Sequence, residues 1–126
     1  FITVNLYEMG GAFMSEDIRE DKMVETIIDL EEYKGDELNE ALWTQLAGQI
    51  KLVLGALTGN YSLPYKIRGK PSDVKSFART LAGEKRYLEA YRQYGLNNSK
   101  TYRTKWQLDR AISQFERKTG IKYPLK

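Results

Sequence analysis

The sequence contains neither cysteine nor histidine among its 126 residues. Without cysteine, the chain has no disulfide, no thiolate nucleophile and no zinc finger. Without histidine, it has no Ser-His-Asp triad, no imidazole acid–base chemistry and no histidine-ligated metal. These absences remove the commonest enzyme chemistries, and we therefore expect a non-enzymatic protein that uses neither a cofactor nor a metal.

Long hydrophobic runs are also missing from the sequence. The longest weakly charged stretch, residues 41–60, is interrupted by Gln45, Gln49 and Lys51, whereas a membrane span needs roughly 20 apolar residues. The first residues lack the basic region with which a signal peptide begins. We therefore expect no membrane partner and a soluble, intracellular, cytoplasmic protein.

The length and the apolar pattern predict one small, mainly α domain. A chain of this length is typical of a single domain that buries roughly two thirds of its unfolded surface. Apolar residues recur at helical spacing in residues 18–34, 38–57, 72–94 and 100–119. We expect a helical bundle with one short β-pair, in which the alternating N-terminal segment pairs with residues 61–71.

Some of these helix predictions carry open alternatives. Residues 18–34 also alternate in the manner of a strand, at Val24, Ile28 and Leu30. Ser72 is a suitable N-cap for the third helix, and Gly83 is expected to divide that helix into two shorter ones. Tyr91 is expected on its apolar face, and Asn97-Asn98-Ser99 is expected to form the turn before the last helix.

The second predicted helix, residues 38–57, is the most apolar. Asp36 is its expected cap, and Lys51 is the only charged residue between Ala41 and Leu57. We therefore expect it to be buried on most sides. Gly48 and Gly55 lie seven residues apart, on one face where a second helix or another copy of the chain can approach.

The net charge of +3 conceals a strong asymmetry between the two halves of the chain. Residues 1–61 carry four basic and twelve acidic side chains, a net of −8, and residues 62–126 carry sixteen and five, a net of +11. We divide the domain into an acidic helical lobe (14–60), a connector (61–71) and a basic helical lobe (72–126). Residues 1–13 are either a leader or a strand, because Met14-Ser15-Glu16-Asp17 resembles a natural start.

The basic lobe carries two cationic stripes that point to phosphate binding. Residues seven apart drift by only about 20° around a helix, so Arg103, Arg110 and Arg117 share one face of the last helix, between Gln107 and Gln114 on one side and the aromatic rings on the other. Nucleic-acid interfaces use cations for phosphates, amides for base edges and aromatic rings for base faces. The second stripe, Lys75, Arg79 and Arg86, lies on the preceding helix, opposite its apolar face. The predicted binding residues are Arg103, Arg110, Arg117, Lys75, Arg79, Arg86, Tyr102 and Trp106.

The preferred interpretation is therefore a nucleic-acid-binding accessory protein, for DNA or RNA, that acts through the basic helical face. An acidic protein surface is the other partner that such a face would suit. The alternative function is a structural or adaptor subunit of an oligomeric assembly, for example a component of a virion or phage. In that case the apolar 38–57 helix would form the interface of a homo-oligomer.

One short segment suggests an enzyme. Glu32-Tyr33-Lys34, with Asp17 or Asp21 upstream, resembles the acidic-x-Lys signature of a nuclease family that carries it on strands. Carboxylates of this kind can hold Mg²⁺ for phosphoryl chemistry. Acidic residues early in a helix also complement its dipole, so we keep a metal-dependent nuclease as the least favoured alternative.

Overall fold

Three α-helices pack beside a small three-stranded sheet in the computed structural model, which describes residues 2–4, 25–34 and 40–125. In chain order the elements are β1 (Ile2–Val4), β2 (Thr26–Asp29), a 3₁₀ turn (Leu30–Tyr33), α1 (Glu40–Leu57), β3 (Tyr65–Gly69), α2 (Pro71–Tyr94) and α3 (Ser99–Thr119). The prediction of a small, mainly α domain is confirmed.

The sheet is built around β3, which lies between the other two strands. β1 runs antiparallel to β3, with Val4 opposite Ile67, and β2 runs parallel to it, with Ile28 opposite Ile67. Along β3, Tyr65, Ile67 and Gly69 are buried, while Arg68 is exposed, which is the alternation of a sheet with one face on the core. The predicted pairing of the N-terminal segment with the connector is confirmed.

The predicted helix over residues 18–34 is wrong for the part that the structure describes, Glu25 to Lys34. The strand alternative applies at Thr26–Asp29, and the chain then turns at Leu30–Tyr33. A run of three β-branched residues, Thr26 to Ile28, favours a strand, and the parallel pairing with β3 supplies its backbone hydrogen bonds. Residues 18–24 and the predicted cap Asp36 lie outside the described residues.

The second predicted helix is confirmed as α1, but the expectation that it is buried on most sides is wrong. Leu46, Ile50, Val53 and Leu54 form its buried face, while Leu52 is 47% exposed. Only one face meets the sheet and the helix that follows it in the chain, and on the opposite face the Tyr61 ring covers Gly55 while Leu52 stays exposed. The helix is followed by Gly59, whose φ of 84° is a conformation that glycine adopts without strain.

α2 and α3 form an antiparallel hairpin, and this hairpin is the largest packing unit of the fold. The rings of Phe77 and Phe115 lie 5.3 Å apart at one end, and the Thr101 hydroxyl donates to the Ala90 carbonyl at 3.3 Å near the other. The turn between the helices follows the prediction at Asn97 and Asn98, whereas Ser99 is already the first residue of α3. Gly95 adopts a φ of 80° at the end of α2, and the Asn98 side chain accepts a hydrogen bond from the Lys100 amide at 2.9 Å.

Three predictions about α2 are wrong. The helix is continuous through Gly83, because this glycine is buried where Leu108 of α3 packs against it. It begins at Pro71 after Lys70 and not at a Ser72 cap, since proline suits the first helical position, where its missing N–H is not needed. Tyr91 is 46% exposed and does not join the core, because α3 and the sheet cover the helix on other sides.

Candidate nucleic-acid interface

Two cationic stripes meet along one side of the α2–α3 hairpin and line an open groove of about 550 Å³. Arg79 and Arg86 come from α2, and Arg110 comes from α3. Each helix rises 1.5 Å per residue, so the two α2 arginines stand about 10.5 Å apart along the groove. We call this feature the hairpin groove. The full set of lining residues is Arg79, Arg86, Trp106, Gln107, Arg110, Ala111 and Gln114.

Small residues at the helix contact bring these side chains together. Gly83 lies against Leu108, where a methyl group at the glycine would sit 3.4 Å from the Leu108 Cδ1 atom. One turn earlier, the buried Thr80 hydroxyl lies 3.4 Å from the carbonyl oxygen of Ala111. Because the backbones approach closely at these points, Arg79 and Arg86 reach the same groove as the long polar side chains of α3. The short side chain of Ala111 leaves the groove open between them.

The centre of the groove is an arginine stacked on an indole ring. The guanidinium carbon of Arg110 lies 4.9 Å from the centroid of the Trp106 ring, which is the geometry of a cation–π contact. Trp106 is nevertheless 59% exposed. A planar ring that is covered on one face and still this exposed leaves its other face open to a ligand.

The three groove arginines are not neutralised by carboxylates of the described residues. The ion pairs within this part of the chain are Lys34–Glu31, Lys34–Asp73, Lys66–Glu25 and Lys105–Asp109. Two of them join the acidic half to the basic half, and both lie at the sheet or at the start of α2, away from the groove. Within the described part of the chain, the positive charge of the groove is therefore available to an anionic partner.

The structure brings together half of the eight predicted binding residues. Arg79, Arg86, Trp106 and Arg110 line the groove, whereas Lys75, Tyr102, Arg103 and Arg117 do not. The latter four are exposed. Arg103 and Arg117 lie one heptad to either side of Arg110 and extend its stripe along α3. The tyrosine hydroxyl of Tyr102 donates to the Asn97 side-chain oxygen at 3.2 Å, which fixes the ring beside the start of the stripe.

Sequence reasoning missed one lining residue and one cavity. The sequence around Ala111 does not indicate that this residue faces α2, because that depends on how the two helices pack.

A second cavity, of about 340 Å³, lies between α1 and α2 and is lined in part by Lys51, Glu84, Arg92 and Leu125. The carboxyl group of Glu84 is buried and accepts a hydrogen bond from the Tyr123 hydroxyl at 3.1 Å. Burial raises the pKa of Glu84.

Of the described residues that suggested a nuclease, Tyr33 and Lys34 are engaged in structural contacts, whereas Glu32 is exposed. The Lys34 ammonium pairs with the buried Asp73 carboxylate and with Glu31, and the hydrogen bond that it donates to Asp73 raises the pKa of Lys34. Asp17 and Asp21 lie outside the described residues. Within residues 25–34 and 40–125, no group of three or more acidic side chains is arranged to hold a metal ion.

In comparisons with known proteins, no family model, curated protein or solved structure matches this chain. None of the helices in the described part of the chain combines the length and the hydropathy that a membrane crossing requires.

Proposed function

We propose that this protein is a non-enzymatic accessory protein that binds nucleic acid through the hairpin groove. The observation that carries the proposal is the convergence of Arg79, Arg86 and Arg110 from two helices, with no carboxylate of the described residues within 4.0 Å of them. Arginine suits this task because its planar guanidinium group donates two parallel hydrogen bonds to a phosphate. We place the protein, as part of the same proposal, inside the cell and in the cytoplasm.

The other groove residues support nucleic acid over an acidic protein surface. Gln107 and Gln114 each present an amide that can donate to and accept from a base edge, and the open face of Trp106 can stack on a base. Either partner would engage the cations, but a nucleic acid also supplies planar bases for the indole and base edges for the amides. The arrangement therefore matches phosphate, base edge and base face together.

Oligonucleotide binding tests the proposal. Fluorescence anisotropy is measured with labelled single-stranded and double-stranded DNA and RNA of about 20 nucleotides, at about 50 mM salt, where phosphate contacts are strong. We define the groove variant as Arg79→Gln, Arg86→Gln and Arg110→Gln together. We define the control variant as Lys51→Gln, Arg92→Gln and Lys122→Gln, which removes the same charge from exposed positions outside the groove.

We expect the groove variant to bind at least about tenfold more weakly than the wild-type protein, because three phosphate contacts are lost. The control variant should lose at most about threefold, through the change in net charge alone. Equal weakening of the two variants would place binding outside the groove. Absence of binding to every oligonucleotide at low salt would refute the proposal.

A structural or adaptor role is the second candidate, and the exposed side of α1 favours it. Leu52 is 47% exposed, and nothing lies within 4 Å of the position where Gly48 would carry a methyl group. Gly55 does not contribute to such a surface, because the Tyr61 ring folds over it and donates its hydroxyl hydrogen to the Leu52 carbonyl at 2.7 Å. Light scattering after size exclusion should reveal a defined oligomer without nucleic acid if this role is correct.

A further inference from the structure

A single row of side chains runs along α3 past the hairpin groove, and it begins with two aromatic rings. Tyr102, Trp106, Arg110 and Gln114 follow one another at intervals of four residues, so they lie side by side on the helix surface. Consecutive members are about 6 Å apart along the axis. We call this row the aromatic ridge. Arg103 belongs to the neighbouring row and lies beside the first two members.

Both rings of the ridge are exposed and held in place. Tyr102 is 60% exposed and Trp106 is 59% exposed, which makes them the most exposed large hydrophobic side chains of the described residues. The hydroxyl group of Tyr102 is hydrogen-bonded to Asn97, and Arg110 covers one face of Trp106. Rings that are already oriented in the free protein lose little conformational entropy when a ligand stacks on them.

From this arrangement we infer that the aromatic ridge selects single-stranded nucleic acid and stacks one base on each ring. The inference rests on the proposed function and adds the class of its ligand. Bases in a duplex are spaced 3.4 Å apart along each strand and already have neighbours on both faces. Rings about 6 Å apart match successive bases only when a strand is extended and its bases are separated, which a duplex does not allow.

Charge and polarity along the ridge fit the path of such a strand. With bases on Tyr102 and Trp106, the connecting phosphates face Arg103 and Arg110, which border the two rings. The amide of Gln114, one turn further along, is placed to bond the edge of the next base. Arg79 and Arg86 on α2 then line the opposite wall of the groove. The backbone of an extended strand is thus flanked by cations on both helices.

Tryptophan fluorescence provides a direct test. The chain has two tryptophans, and Trp43→Phe leaves Trp106 as the only one. Single-stranded DNA and RNA of about 20 nucleotides, and the matching duplexes, are titrated into this protein. We expect strong quenching by single strands and weak quenching by duplexes, since only an unpaired base can stack on the open face of the indole. In the anisotropy assay with labelled oligonucleotides, Trp106→Ala should weaken single-strand binding by about tenfold and duplex binding by less than about twofold.

Conservative variants distinguish stacking from a change in the fold. Trp106→Phe and Tyr102→Phe retain a ring and should retain most of the single-strand affinity, whereas Tyr102→Ala should lose about tenfold. Helical circular dichroism shows whether each variant folds. Equal affinity for duplex and single strand, unchanged by Trp106→Ala, would overturn the stacking inference and leave the groove proposal intact. Absence of binding to both forms would overturn the proposed function as well.

Discussion

The contact between Glu84 and Tyr123 yields the most detailed prediction about stability. It fastens the C-terminal segment to α2, because Tyr123 is only 2% exposed and its hydroxyl donates to the Glu84 carboxyl group at 3.1 Å. A hydrogen bond to a charged group contributes about 1.5–3 kcal/mol. Tyr123→Phe leaves the buried carboxyl oxygen without this donor, and we expect the free energy of unfolding to fall by about 2 kcal/mol near pH 7.

Glu84→Gln alters the same contact, but it should change the free energy of unfolding in the opposite direction. The glutamine side chain keeps an oxygen that accepts from Tyr123, but it cannot ionise. Burial raises the pKa of Glu84, so the stability gained from its protonated form is complete below the pKa of the unfolded chain and is lost as the pH rises through the pKa of the folded protein. Glu84→Gln should therefore be more stable than the wild-type protein at neutral pH, and its advantage should vanish in acid.

Urea unfolding followed by circular dichroism, at about pH 4 and about pH 8, measures both effects. Subtracting the wild-type values at each pH removes the titration of the other carboxylates, which the two proteins share. In the Glu84→Gln background, Tyr123→Phe should cost only about 1 kcal/mol, because a neutral hydrogen bond is weaker. A stability difference between Glu84→Gln and wild type that falls as the pH rises would refute the reasoning, since it would mean that nearby cations lower the pKa of this carboxyl group.

Two further predictions concern the hairpin that carries the groove. Phe115 is fully buried against Phe77 and Tyr123, so Phe115→Ala should lower the free energy of unfolding by about 3–5 kcal/mol. A loss below about 1 kcal/mol in urea unfolding would contradict this packing. Gly83→Ala should be neutral or stabilising by up to about 1 kcal/mol, because the added methyl group meets Leu108 at ordinary contact distance and alanine favours the helix. Gly83→Leu should instead force the helices apart, destabilise the protein by about 1–3 kcal/mol and weaken oligonucleotide binding.

The helices that carry the groove could be predicted from the sequence because their signals are local. Apolar residues recur at helical spacing in residues 100–119, where Leu108, Ile112 and Phe115 are buried, and Asn97 and Asn98 mark the turn between the helices. The spacing of seven residues also placed Arg110 in a cationic stripe, and Arg79 and Arg86 were placed in a second stripe because they lie opposite the apolar face of their helix. These features depend only on residues close together in the chain.

The features that the sequence could not decide depend on distant partners. Thr26–Asp29 carries both a helical and a strand pattern, and the strand forms because its neighbour in the sheet, β3, begins at Tyr65, far along the chain. Gly83 is typical of a helix break, but its missing side chain instead makes room for Leu108. The meeting of the two stripes follows from that close approach, since neither stripe alone indicates which face of the hairpin it occupies.

The central claim is that the groove arginines contact phosphates, and the salt dependence of binding tests it most directly. The logarithm of the binding constant falls linearly with the logarithm of the salt concentration, with a slope of about −0.7 for each phosphate contact to a single strand. Removing Arg79, Arg86 and Arg110 together should therefore make the slope about 2 less negative. The control variant should leave the slope unchanged. If the groove variant has the same slope as the wild-type protein, these arginines do not bind phosphate and the account is wrong.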